Sequence, residues 1–156
     1  MQKSLITATL TLISAITLLG SPDSTKMAYG KTPDGTAVSE YTLSNDNGMI
    51  VKVIDYGAIV TEVWAPDRDG KIADIVLGYD KLEDYIAVTP YFGAIVGRYG
   101  NRIAVGVFEI DGESYELATN NNENHLHGGL IGFDKVVWKS EAYSNKKAAG
   151  VKLSYL

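Results

Sequence analysis

Residues 107–117 read VFEIDGESYEL, and this stretch decides the fold class. Phe108 and Ile110 alternate with their neighbours before an Asp-Gly pair, and Tyr115 and Leu117 do so after it. Alternating runs joined by Asp-Gly are typical of a β-hairpin, because these two residues tolerate the positive φ angles of its tight turn. The stretch therefore predicts two antiparallel strands.

Similar short strands are predicted on both sides of this hairpin. Runs of apolar and β-branched residues, separated by turn-forming residues, occur at 41–43, 49–54, 59–64, 75–77, 136–138 and 151–156. A short helical turn is expected over 81–85, with Asp80 as a candidate cap. Strands at this spacing favour an all-β sandwich or barrel.

The last predicted strand runs to the final residue. Natural edge strands are usually blunted by a charge, a proline or a bulge, and no turn, charge cluster or cap follows this strand. Two interpretations remain open: a chain that stops in the middle of a fold, and a genuine C-terminal strand paired inside a sheet.

The N-terminus has the pattern of an export signal. Lys3 precedes an uncharged apolar stretch, Leu5–Leu19, which is shorter than the roughly 20 residues of a membrane-spanning helix. We expect residues 1–25 to be a signal peptide, so that the protein is exported, periplasmic or secreted, and free of the membrane after cleavage. A retained membrane anchor is the alternative. Residues 26–38 are expected to be a flexible linker, and residues 39–156 the folded β domain.

Composition disfavours several classes of protein. The net charge is −5 and the Lys and Arg residues are scattered, which disfavours a nucleic-acid partner because phosphate binding requires clustered cations. The chain has no cysteine. It can therefore form neither a disulfide nor a thiolate metal site.

Two segments contain the side chains best suited to chemistry, YFGAIVGRYGNRI (91–103) and NNNENHLHGG (120–129). In the first, Asn101 and Arg102 place an amide beside a guanidinium. Together they offer several donors and an acceptor, which suits a ligand with many hydroxyl groups. A structural ion pair is the alternative role for Arg102.

His125 and His127, in the second segment, are the only histidines of the chain. On an extended strand, residues two apart point to the same face. Three roles remain open: half of a metal site, hydrogen bonding or proton transfer to a substrate, and a purely structural role. A metal would need carboxylates to complete its ligand set, since no third His and no Cys is present, and we expect none.

Taken together, the two segments resemble the aldose 1-epimerase (galactose mutarotase) family. The resemblance covers residues 35–156 and is carried by motifs in a fixed order: NGM (47–49), YGA (56–58), PDRDGK (66–71), VLGYD (76–80), GRYGNRIA (97–104), NHLHGG (124–129), GFDK (132–135) and Trp138. The chain departs from the family pattern at Gly100, where Ala is common, and at residues 122–123, where a Gly-containing turn is usual.

The resemblance implies a large antiparallel β-sandwich, incomplete in this chain. It implies interconversion of the α and β anomers of free hexoses such as glucose and galactose, without a cofactor. It also implies that Asn101, Arg102 and His127 line the sugar pocket, and that His127 assists catalysis. The position of His125 is less constrained in the family. The principal general acid, a second His, and the general base, a Glu, belong to a part of the family sequence that this chain does not cover.

We therefore expect the N-terminal portion of an exported aldose 1-epimerase, with a small-molecule sugar as its partner and little activity alone. Arg102 and His127 are expected to face one sugar-sized hollow. One alternative is a non-catalytic carbohydrate-binding module on the same fold. Another is a product that cannot fold stably by itself, because half a sandwich leaves apolar strands uncovered.

Overall fold

A computed structural model describes residues 21–87 and 90–156. In these ranges the chain is mostly β, and its sheets are antiparallel, as predicted. The strands are β1 (Asp23–Lys31), β2 (Ala37–Ser44), β3 (Ile50–Ile54), β4 (Ile59–Pro66), β5 (Ile72–Asp74), β6 (Arg102–Ile103), β7 (Val107–Ile110), β8 (Glu113–Glu116), β9 (His125–Leu126), β10 (Lys139–Ser144) and β11 (Ala149–Ser154). One α-helix, α1 (Leu82–Ala87), follows β5, and short 3₁₀ turns lie at Ala104–Gly106, Gly129–Ile131 and Phe133–Lys135. Within the described ranges, no helix combines the length and apolarity needed to cross a membrane.

The largest sheet is a five-stranded meander in the order β1-β2-β3-β4-β5. Consecutive strands are joined by tight turns, such as the one in which the side chain of Asn45 accepts hydrogen bonds from the amides of Asn47 and Met49. Asn favours this role because its side chain mimics a backbone acceptor two residues on. The predicted strands at 41–43, 49–54 and 59–64 all lie in this sheet.

The core lies between one face of this sheet and α1. It consists of buried Val38, Ile54, Tyr56, Ile59, Leu82 and Tyr85. Val38, Ile54 and Leu82 are at most 1% exposed, and burial of each stabilises the fold by about 1.5–3 kcal/mol. The hydroxyl of Tyr85 accepts a 2.8 Å hydrogen bond from the amide of Tyr79, which ties α1 to the loop before it.

A buried carboxylate joins the meander to the C-terminal hairpin, β10-β11. Asp55 accepts hydrogen bonds from the amide of Ser39 at 2.8 Å and from the hydroxyl of Ser140 at 3.0 Å. The hydroxyl of Tyr41 donates to the same Ser140 oxygen at 2.7 Å. Since buried polar groups must be hydrogen-bonded to be tolerated, these contacts anchor the β10-β11 hairpin to the meander.

Two small ladders complete the fold and lie next to the candidate site. β7 and β8 form the predicted hairpin, with Asp111 and Gly112 at positive φ angles of 53° and 82° in its turn. β6 pairs with β9, so that Arg102 is opposite Leu126 and Ile103 is opposite His125. This second ladder brings the two segments singled out in the sequence side by side.

Two predicted strands are wrong. The run 75–77 lies outside any strand, because β5 ends at Asp74, whose side chain accepts hydrogen bonds from the amides of Val63 and Val76 and turns the chain. The run 136–138 forms only an isolated bridge, between Val137 and Tyr56, and the strand proper begins at Lys139.

The flexible linker predicted for residues 26–38 is also wrong. Residues 26–31 belong to β1 and pair with β2, and the 32–36 turn is closed by a 2.9 Å hydrogen bond from the amide of Thr32 to the carbonyl of Thr36. Residues 26–31 form a strand because they pair with β2, and the composition of residues 26–38 alone does not reveal that pairing. The predicted signal peptide falls largely on residues 1–20, which lie outside the described ranges.

Candidate functional site

The candidate site is centred on Asn101 and His127, which lie at adjoining ends of the β6-β9 ladder. The amide of His127 donates to the carbonyl of Asn101 at 3.0 Å. The backbone amide of Asn101 donates in turn to Nδ1 of the His127 ring at 2.8 Å. The two residues predicted from separate segments are therefore in direct contact.

Both residues have left-handed backbone conformations. The φ angles are 67° at Asn101 and 53° at His127. Asn and His are enriched there among non-glycine residues, and such conformations cluster at functional sites. The positive φ at His127 ends β9, so the His127 side chain no longer follows the alternation of side chains between the two faces of the strand.

His125 consequently has different surroundings from His127. Its ring is buried and its Nδ1 lies 2.9 Å from the carbonyl oxygen of Ala118. The expectation that a His-x-His pair shares one face is therefore wrong here, because the chain leaves the extended conformation at His127. Within residues 21–87 and 90–156, no group of three potential metal-ligating side chains occurs.

The Asn101–His127 contact determines which nitrogen of the imidazole can donate. A backbone amide can only donate, so Nδ1 accepts and carries no proton in this arrangement. The neutral His127 ring then has its proton on Nε2. The ring therefore offers a hydrogen-bond donor at Nε2.

Arg102 is exposed, and its guanidinium is held by the side chains of two asparagines. Its Nε donates to the side-chain oxygen of Asn121 at 2.8 Å, and its Nη1 donates to that of Asn101 at 3.1 Å. In the part of the chain that the structure describes, no carboxylate forms an ion pair with Arg102. Neutral acceptors thus orient the guanidinium, and no carboxylate among the described residues competes with a ligand for it.

Sequence reasoning missed two residues that shape this site. Asn120 holds the loop before His127, because its side chain accepts from the amide of Leu126 and donates to the carbonyls of Leu126 and Gly129. Tyr91 packs its ring edge-to-face against the His127 ring, with centroids 4.7 Å apart. Both stand in the two segments already singled out, but their roles depend on contacts across the fold.

A cavity of about 890 Å³ adjoins the site, and its lining is largely apolar. Arg102 and His125 are part of the lining, together with residues such as Phe108, Leu117 and Phe133. Asn101 and His127 are not part of it. The structure therefore joins the three predicted site residues by hydrogen bonds. The expectation that Arg102 and His127 face one hollow is wrong for this cavity, because Arg102 alone among the three lines it.

The family model described as aldose 1-epimerase matches residues 39–156. Galactose mutarotase of Bos taurus is 46% identical over 122 residues, which are 78% of this chain and 35% of that protein. Aldose 1-epimerase of Escherichia coli (strain K12) is 39% identical over 107 residues, 69% of this chain and 31% of that protein.

A solved structure, galactose 1-epimerase from Lactobacillus acidophilus NCFM, has a similar fold, with a TM-score of 0.73 and 33% identity. The similarity covers 85% of this chain and 38% of that one. The chain thus spans about a third of the length of the relatives it matches. The match over residues 39–156 and these relatives show that the chain belongs to the aldose 1-epimerase family.

Proposed function

We propose that Asn101, Arg102 and His127 bind the hydroxyl groups of a free hexose, and that the chain supplies this part of an aldose 1-epimerase. The observation that supports the proposal best is the hydrogen-bonded cluster of these three residues. In it the His127 imidazole, which can donate from Nε2, and the Arg102 guanidinium, which has no carboxylate partner among the described residues, are both hydrogen-bonded to Asn101. Paired donors of this kind suit vicinal sugar oxygens.

The reaction needs balanced proton transfers. The C1 hydroxyl loses a proton while the ring oxygen gains one, and the C1–O5 bond breaks to give the open-chain aldehyde. The carbonyl face then turns, and the ring closes to the other anomer. An acid and a base on opposite sides of the sugar are required.

His127 can provide one half of this chemistry. Its Nε2–H would donate to a sugar oxygen, and Arg102 would stabilise negative charge that develops there. Since Nδ1 is engaged by Asn101, we propose that His127 assists as a donor rather than as the base. The family resemblance assigns the principal acid and base to sequence outside this chain, and we therefore propose that the chain alone has little activity.

A chimera tests the catalytic part of this proposal. Residues 39–156 would replace the matching third of the bovine galactose mutarotase, and polarimetry would follow the mutarotation of fresh α-D-galactose. We expect the chimera to exceed the buffer rate and the 156-residue chain not to. Arg102→Leu and His127→Phe should each lower the chimera's kcat/KM by about 10², whereas Arg68→Leu, at an exposed arginine, should not.

The outcomes separate the alternatives. A chimera that binds galactose without accelerating mutarotation would favour the carbohydrate-binding module. Acceleration that survives both site substitutions would refute the assigned roles. Export is a separate proposal that rests on Lys3 and Leu5–Leu19, and fractionation of cells that express the full chain tests it: a product confined to the cytoplasm would refute it.

A further inference from the structure

The imidazole of His127 is held on a second side by an aromatic ring. Tyr91 packs against it with ring centroids 4.7 Å apart and planes at 71°, an edge-to-face arrangement. We propose that Tyr91 is a positioning residue, which fixes the orientation of the His127 ring so that Nε2 meets the sugar. The proposal rests on the sugar-binding function proposed above.

A single hydrogen bond does not fix an imidazole. The bond from the Asn101 amide restrains Nδ1 of His127, but the ring can still tilt about that contact. Tyr91 restrains the tilt, because edge-to-face aromatic pairs have a preferred distance and angle. The two contacts together define one ring orientation, and with it the direction of the Nε2–H bond.

Tyr91 is itself held by a partly buried lysine. The ammonium of Lys135 lies 5.4 Å from the centroid of the Tyr91 ring, within the range of a cation–π contact. The same ammonium lies 2.6 Å from Oδ2 of Asp134, whose side chain is buried. Because Asp134 is in the 3₁₀ turn Phe133–Lys135, the contacts run from this turn through Lys135 and Tyr91 to His127.

The backbone at Tyr91 supports the same conclusion. Its φ angle is 62°, a conformation that costs free energy for a residue with a side chain. The carbonyl of Tyr91 accepts a 3.2 Å hydrogen bond from the amide of Ala94, which closes the turn in this conformation. A constrained turn therefore places the Tyr91 ring against the His127 ring.

NMR of the full 156-residue chain tests the proposal without relying on catalysis. In the wild type we expect nuclear Overhauser contacts between the ring protons of Tyr91 and His127. Tyr91→Leu should move the His127 ring-proton shifts and weaken D-galactose binding by about tenfold. Tyr91→Phe retains the ring and should restore both readouts, and Tyr143→Leu, at an exposed tyrosine of β10, should change neither.

Each outcome bears on a distinct claim. Absence of ring contacts in the wild type would overturn the proposal even if Tyr91→Leu failed to fold. Unchanged His127 shifts and unchanged binding in a folded Tyr91→Leu would overturn it as well. A loss in Tyr91→Phe equal to that in Tyr91→Leu would show that the phenol hydroxyl binds the sugar, and would also overturn the positioning role. A wild type that shows the ring contacts but binds no galactose would refute the proposed function while supporting the placement of His127 by Tyr91.

Discussion

Asn101 and His127 are joined by two reciprocal hydrogen bonds, from the Asn101 amide to Nδ1 of His127 at 2.8 Å and from the His127 amide to the Asn101 carbonyl at 3.0 Å. The residues are 26 positions apart in sequence. The first bond leaves Nε2 as the protonated nitrogen of the neutral ring. The pair thereby sets both the position and the hydrogen-bonding character of the site.

Replacement of His127 by Phe should distinguish the effect of the ring's shape from the effect of its hydrogen bonds. Phe keeps a ring beside Tyr91 but leaves the Asn101 amide without its acceptor. We expect the free energy of unfolding to fall by about 1 kcal/mol and galactose binding to disappear, as measured by urea unfolding and NMR titration. Retained binding would show that the imidazole does not contact the sugar.

Arg102→Lys tests the guanidinium fork. A lysine cannot reproduce donation from Nε and Nη1 to Asn121 and Asn101 at once. We expect galactose affinity to fall about tenfold, while stability changes by less than about 0.5 kcal/mol because the side chain is exposed. Arg68→Lys is the matched control, since Arg68 is also exposed. Equal affinity in both variants would remove Arg102 from the site.

The loop after His127 depends on a glycine. A Cβ added at Gly128, where φ is 94°, would collide with the carbonyl oxygen of Gly97. We expect Gly128→Ala to destabilise the chain by at least about 3 kcal/mol. Gly112→Ala has a similar φ of 82° but no atom within 4 Å of the new Cβ, and it should cost only about 1 kcal/mol. Thermal or urea unfolding of both variants measures the difference, and equal costs would contradict the close approach at Gly128.

Asp55 should contribute strongly to the stability of the fold. Its removal in Asp55→Ala leaves the Ser39 amide without an acceptor and removes the carboxylate partner of Ser140. We expect a loss of about 3 kcal/mol in the free energy of unfolding, against about 1 kcal/mol for Ser140→Ala. Ser114→Ala, at an exposed serine of β8, is the control in urea unfolding. A small effect of Asp55→Ala would mean that the β10-β11 hairpin is not anchored through this carboxylate.

Glu40 should make stability depend on pH. Burial raises the pKa of Glu40 above its ordinary value of 4.5, Lys52 opposes this, and Glu62 adds to it. The folded chain therefore holds the proton more tightly than the unfolded chain, so the stability contributed by protonated Glu40 is complete below pH 4.5 and is lost as pH rises through the raised pKa.

Glu40→Gln removes this ionisation. Its Tm should exceed that of the wild type at pH 7, and the difference should vanish below pH 4.5. Scanning calorimetry across this range measures it. Glu109→Gln, at an exposed residue of β7, should show no such trend. A Glu40→Gln variant less stable than the wild type at pH 7 would show that the charged carboxylate stabilises the fold.

The parts of the fold that local sequence determines were predictable. The 107–117 hairpin follows from alternation and an Asp-Gly turn, and both residues of that turn have the expected positive φ. The run 75–77 was not predictable, because the side chain of Asp74 ends β5 through bonds to Val63 and Val76. The apolar residues at 75–77 match a strand pattern, but the folded chain forms no strand there.

The site was predictable in its composition and not in its geometry. Asn101, Arg102 and His127 were identified from residue type and family resemblance. Their mutual hydrogen bonds require the β6-β9 ladder and a positive φ at His127, which nothing in the local pattern specifies. The same holds for Tyr91, whose contact with His127 arises from packing between distant segments.

Titration of the ¹⁵N-labelled chain with D-galactose tests the central claim most directly. We predict that the amide shifts which change with sugar concentration centre on Asn101, Arg102 and His127, and that the β1–β5 sheet stays unaffected. Shifts that do not respond to galactose, or that respond only in residues 37–66, would contradict a sugar site built from these three side chains.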